Sequence, residues 1–271
     1  RRLRIVRFGD NMRDVAVTEG DKVETQIKLG WQVDYWPVGH LVETMDAVTE
    51  AEVDAQMEQY KERYDFATDD LATVRYQARE EVAMRKILER EGAQAFINNF
   101  QDLYGPLGQE EGQPHQRGPE RAQQQGQRGK EHKLAQQGNH QAGIGRPQGL
   151  EGGTLFMEDY TYDLEPGKEV SLGAHMLEVC PSIAAQRPRI EVHPLGIGGK
   201  NPPARLVFEG KEGPGIVVSL IDMGGRLRMI IQDIEVIKPI LEMPNLPVAR
   251  VMWKPMPDLL TGVKCWIQAG G

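Results

Sequence analysis

The sequence predicts an α/β unit, a parallel sheet with covering helices, followed by a mostly antiparallel β barrel or sandwich. Three observations predict it. Strand-like and helix-like spacings of apolar residues alternate over residues 1–105, both spacings vanish over 106–150, and from 151 to 271 short apolar runs are separated by Gly-rich turns. Alternating β and α signals argue for a parallel sheet, whereas short strands with tight turns argue for antiparallel pairing. Three segments follow: an α/β segment (1–105), a Gln/Gly-rich segment (106–150) and an antiparallel β segment (151–271).

The first segment opens on an apolar strand, Leu3-Arg-Ile-Val-Arg-Phe8. Thr18 with Asp21 then suits the start of a short helix that ends at Gly30, and residues 31–36 alternate like a strand. Thr49-Glu-Ala-Glu52 is a capping box, in which hydroxyl and carboxylate each satisfy a free backbone N–H. Behind it Val53, Met57, Tyr60 and Tyr64 recur at helical spacing. A longer helix carries Leu71, Val74, Ala78 and Val82 on one face, with Gly92 as its stop signal. Residues 95–100, Ala-Phe-Ile-Asn-Asn-Phe, return to strand.

The middle segment holds 11 Gln, 9 Gly and three of the chain's six His. Its few apolar residues follow no period. Such a composition cannot bury enough surface to offset the entropy of ordering it, so it reads as disordered or as corrupted sequence. The last segment offers hairpin signals. Residues 205–208 and 216–221 flank Glu209-Gly-Lys-Glu-Gly-Pro-Gly215, and residues 227–231 follow the Gly224-Gly225 turn.

The chain of 271 residues begins at Arg1 and stops at Gly271 beside an apolar run, and both ends read as cuts. Its net charge is −8, with both signs interspersed and no basic stripe of the kind nucleic-acid binders carry. The balance suits a small-molecule partner. No apolar run approaches the roughly 20 residues needed to span a bilayer. Cys180 and Cys265 stand in unrelated contexts, outside any CxxC pattern, and read as free, partly buried thiols in a reducing cytoplasm.

Two stretches could carry chemistry. Phe156-Met-Glu-Asp-Tyr-Thr-Tyr162 sets two carboxylates among aromatic residues, and Gly173-Ala-His-Met-Leu-Glu-Val-Cys-Pro181 sets one imidazole in an apolar run. Carboxylate and neutral imidazole together suit a divalent ion such as Mn²⁺. A carboxylate in partly apolar surroundings can also be tuned for proton transfer. The spacing of Glu158 and His175 matches no short metal motif, so a capping Glu and a satisfied core His stay open as readings. Gly196-Ile-Gly-Gly-Lys200 lacks the spacing of a phosphate loop and reads as a turn between strands. Phe8-Gly-Asp-Asn-Met-Arg13 sets polar groups at a strand end, where sheets of this class bind ligands, or forms a plain strand-to-helix turn. Met12 and Phe100 are core side chains by default.

Several of these motifs resemble bacterial L-arabinose isomerases. Phe8-Gly-Asp-Asn-Met-Arg-Asp-Val-Ala-Val-Thr-Glu-Gly-Asp-Lys22, Phe156-Met-Glu-Asp-Tyr-Thr-Tyr162, His175-Met-Leu-Glu-Val-Cys-Pro-Ser-Ile183 and His193-Pro-Leu-Gly-Ile-Gly-Gly-Lys200 carry the likeness. Leu246-Pro-Val-Ala-Arg250 and Trp266-Ile-Gln-Ala-Gly-Gly271 extend it. The resemblance covers nearly the whole chain outside 106–149 and corresponds to the family's central and C-terminal domains.

The resemblance implies a cytoplasmic aldose–ketose isomerase, homohexameric at full length, acting on L-arabinose and often on D-galactose with the help of Mn²⁺. It implies that Glu158 is a metal ligand and one of two acid/base glutamates, that His175 is a second ligand, and that Met12 and Phe100 line the sugar pocket. Two departures accompany it. Asp163 stands where the family usually carries a His. The Gly-Glu-Gly-Asp-Trp segment that bears the family's other catalytic glutamate is absent from 106–149, and the family's last histidine follows directly after the closing Ala-Gly-Gly. The chain on its own is therefore expected to bind metal weakly and to be inactive.

Overall fold

Residues 4–8 alternate apolar side chains to two faces, and in the computed structural model they form the central strand of a parallel sheet. The structure describes residues 3–11, 19–98, 171–174, 181–193, 204–222, 224, 226–238, 245, 247–254 and 259–269. Strand β1 (Arg4–Phe8) lies between β2 (Gln32–Trp36) and β4 (Ala95–Asn98), and both neighbours run parallel to it. Val6 and Phe8 point into the core, where the Phe8 ring meets Phe96 edge-on at 6.5 Å.

Each helix starts and stops for a local reason. Helix α1 (Lys22–Leu29) is capped by Asp21, whose carboxylate accepts from the Glu24 N–H, and ends at Gly30 in the left-handed conformation. Helix α2 (Val38–Asp46) follows Pro37, which presets the backbone but offers no side-chain cap. The capping box opens α3 (Glu50–Arg63), with Val53, Met57 and Tyr60 buried on one stripe. After the two-residue strand β3 (Asp65–Phe66), Asp70 caps α4 (Leu71–Glu91), and Gly92 at φ 60° ends it. Val74 and Ala78 are fully buried as their spacing requires, whereas Leu71 is exposed.

The later strands are largely antiparallel. β5 (Ser171–Ala174), β10 (Val248–Lys254), β9 (Leu227–Ile237) and β8 (Gly213–Asp222) form a four-stranded sheet in that order. β8 and β9 join through the expected hairpin, where Asp222 pairs with Leu227 and Gly224 takes φ 75°. β6 (Arg189–Val192) pairs antiparallel with β7 (Ala204–Val207), and β3 adds to β6 in parallel. A 3₁₀ turn (Pro181–Ile183) precedes β6, and helix α5 (Leu259–Ala269) has its last carbonyl held by Arg228 Nη1 at 2.6 Å.

Three expectations are corrected here. Among the described residues the antiparallel strands do not close into a barrel, and one strand of the β3–β6–β7 sheet comes from the first half of the chain. β7 and β8 do not make a hairpin, because the intervening chain turns onto β10. There Gly210 N–H donates to Val248 O at 2.7 Å, and Glu209 bridges Val248. Cys265 is exposed rather than partly buried. The Gln/Gly-rich segment and Cys180 lie outside the described residues.

One hydrophobic cluster joins both halves. Val6, Phe8 and Phe96 of the parallel sheet, the buried stripes of α2, α3 and α4, and Ile190, Ala204, Leu206 and Phe208 belong to it together.

Candidate functional site

The parallel sheet places its ligand-binding edge by topology. From β1 the chain passes to β2 on one side, and after α2, α3 and α4 it returns to β4 on the other. In such sheets the strand order reverses at the central strand, and ligands settle in the crevice outside the carboxyl ends there. Phe8 pairs with both Trp36 and Asn98, so the three strands end level with one another.

The turn that leaves β1 is heavily tied. Gly9 adopts φ 80°, which favours glycine, and its N–H donates to Trp36 O at 3.1 Å. Asp10 Oδ1 accepts from the Asn11 N–H at 2.9 Å and from Arg7 Nη2 at 2.9 Å. Arg7 Nη1 donates to Asn11 Oδ1 at 2.6 Å, and Asn11 Nδ2 donates to Glu19 Oε2 at 2.5 Å. The Arg7 side chain is largely covered, while the Asp10 carboxylate remains exposed. Just before α1 the Asp21 N–H donates to Asp222 Oδ2 at 2.9 Å, which ties this residue to the β8–β9 hairpin. The edge thus presents fixed carboxylates and an amide, groups suited to sugar hydroxyls.

A second polar cluster sits where β6 ends. Glu191 receives Arg189 Nε at 2.7 Å on one oxygen and meets His193 Nε2 at 2.5 Å on the other. Buried Arg205 donates to the carbonyl oxygens of His193 and Asn245. Burial lowers the Arg205 pKa and Glu191 opposes that shift. β6 and β7 are antiparallel neighbours, and Gly196–Lys200, read from sequence as a turn between strands, lies outside the described residues.

The four side chains singled out from sequence, Met12, Phe100, Glu158 and His175, lie outside the described residues. Chain neighbours of three of them are described: Asn11 precedes Met12, Asn98 lies two residues before Phe100, and Ala174, the last residue of β5, precedes His175. Among the described residues no cluster of three or more His, Cys, Asp or Glu side chains could hold a metal ion. Sequence reasoning missed Arg7, Glu19 and Asp222. The first two occur in the quoted strand and motif, but Asp222 is separated from Asp21 by 201 positions and left no local signal. No described helix is long and apolar enough to cross a membrane.

The profile of the L-arabinose isomerase central domain matches residues 4–129, and that of the L-arabinose isomerase C-terminal domain matches residues 153–271. The chain is 52% identical to the L-arabinose isomerase of Thermotoga neapolitana over 269 residues, covering 98% of this chain and 53% of that protein. It is 49% identical over 275 residues to L-arabinose isomerase 1 of Bacillus licheniformis, covering 100% and 54%. It is 46% identical over 288 residues to the L-arabinose isomerase of Geobacillus stearothermophilus, covering 100% and 55%. The chain spans about half the length of these relatives. With two adjoining family domains matched in order and relatives similar along its whole length, the chain belongs to the L-arabinose isomerase family.

Proposed function

We propose that this chain is part of an enzyme that interconverts L-arabinose and L-ribulose, and D-galactose and D-tagatose, through an enediol. The observation that carries the reading is the pair of family domains, supported by relatives named for the arabinose reaction. The level strand ends and the tied turn support a sugar site at this edge, since β1 and β4, the strands that precede Met12 and Phe100 in the sequence, are neighbours that end level with each other.

In this reading Met12 and Phe100 line the pocket and orient the open-chain sugar. Glu158 takes the proton from C2 of the aldose and returns it to C1, while the hydroxyl proton on O2 passes to O1, so that the C1 carbonyl becomes a hydroxyl and C2 becomes the carbonyl. Glu158 and His175 offer a carboxylate and an imidazole, a donor set that suits Mn²⁺. A bound ion would supply Lewis-acid polarisation of the sugar oxygens. We further propose a cytoplasmic homohexamer for the full-length protein, with the three-segment division (1–105, 106–150, 151–271) as its organisation in this half.

A second reading is favoured by one observation, the lack of a Gly-Glu-Gly-Asp-Trp segment in 106–150. It makes this chain a non-catalytic piece that keeps sugar-binding or subunit-contact surfaces. Titration with Mn²⁺ and L-arabinose, followed by an assay for ketose, separates the two. Ketose formation that Glu158→Gln lowers by about 10²–10⁴-fold supports the isomerase. Sugar binding without ketose supports the second reading, and absence of both sinks the sugar site.

A further inference from the structure

We propose that Arg7 is a positioning residue that locks the turn after β1 in the geometry the crevice needs to receive an open-chain sugar. The inference rests on the sugar-site reading and deepens it.

Arg7 stands on the central strand of the parallel sheet, one residue before its end, with a side chain only 12% exposed. Its planar fork spans two acceptors at once, Asn11 Oδ1 at 2.6 Å and Asp10 Oδ1 at 2.9 Å. The guanidinium carbon lies 5.8 Å from the centre of the Tyr35 ring on β2, within cation–π range. Asn11 passes the restraint on, because its Nδ2 donates to Glu19 Oε2 at 2.5 Å. Three polar residues at the carboxyl end of β1, Asp10, Asn11 and Glu19, are thereby tied, directly or through Asn11, to one side chain on the central strand. Both Nη groups donate to protein oxygens, so Arg7 acts through the turn rather than on the sugar. Holding the turn in advance removes an ordering cost that sugar binding would otherwise meet. Lysine offers a point charge in place of a fork and cannot hold both acceptors in this plane.

The test is hydrogen exchange by the whole chain and its Arg7→Lys and Arg7→Met variants, each with and without L-arabinose. The amides to follow are Gly9, Asn11 and Asp21, with those of α4 as internal control. The expected result is exchange about tenfold faster at the three turn amides in R7M, an intermediate effect in R7K, unchanged α4, and L-arabinose affinity weakened by about tenfold. Should R7M fail to fold, R7K carries the comparison. Faster exchange throughout α4 as well would make Arg7 merely structural and overturn the proposal. A parent chain with no sugar-dependent protection would sink the sugar site itself and the proposal with it. Protection that R7M and R7K retain at undiminished affinity would sink the proposal alone.

Discussion

Glu80 sits within α4 with its side chain wholly buried, and burial pushes its carboxyl pKa well above the ordinary value. At pH below the value of an unfolded Glu, both states hold the proton and Glu80 is neutral to stability. As pH rises past that value, the unfolded chain releases the proton and the folded chain keeps it, so stability falls until the folded value is reached. Glu80→Gln should therefore flatten the decline in urea midpoint between pH 4 and pH 8, and equal slopes in the two proteins would refute this. Glu52 behaves in the opposite sense. Hydrogen bonds from Lys86 and then Thr49 hold its pKa down at about 2. Its contribution is present above the unfolded value and is lost as pH falls toward about 2. The ion pair with Lys86 is well exposed and contributes little by itself, so the cap matters more. Thr49→Ala should cost about 1 kcal/mol in chemical denaturation at pH 7, and no measurable change would contradict the capping role.

At the scale of elements, β7 and β8 part company because the segment between them docks on β10. Gly210 permits the approach: a Cβ there would lie 2.7 Å from the Ala249 Cβ. Gly210→Ala should destabilise by about 1–3 kcal/mol through overpacking, and Ala249→Gly in the same chain should restore part of it. A thermal scan in which the double variant melts no higher than Gly210→Ala would refute the steric account. The capping box that opens α3 and the glycine that ends α4 were legible, whereas the Asp70 cap of α4 and the exposure of Leu71 were not. α2 was not legible either, since Pro37 opens it without a side-chain cap and its nine residues show few repeats of the apolar spacing. β6 escaped notice for a similar reason, being four residues long with polar and apolar residues mixed.

At the scale of the molecule, the core does not respect the division read from composition. Ile190, which lies beyond residue 150, is as deeply buried as Val74 and Phe8 in the same cluster. Ile190→Ala should cost about 2–5 kcal/mol, against less than about 0.5 kcal/mol for Ile216→Ala on an exposed face. Residues 1–105 expressed alone should lose cooperative melting, because Phe66 would lack its partner strand β6 and α4 the cover of β7. A sharp calorimetric transition from that piece would show that it folds independently.

The amino-acid order by itself determined the local elements whose cause is local: capped helices, the Gly-terminated α4, the β8–β9 hairpin and the parallel unit at the start. Its long motifs also carried the family and named the residues expected at the sugar and metal. Only the tertiary structure decided that β3 joins β6, that Asp21 leans on Asp222, and that Arg7 gathers the turn beside the crevice. Contacts between residues far apart in sequence depend on which faces meet once the chain closes, and neither periodicity nor composition records that choice.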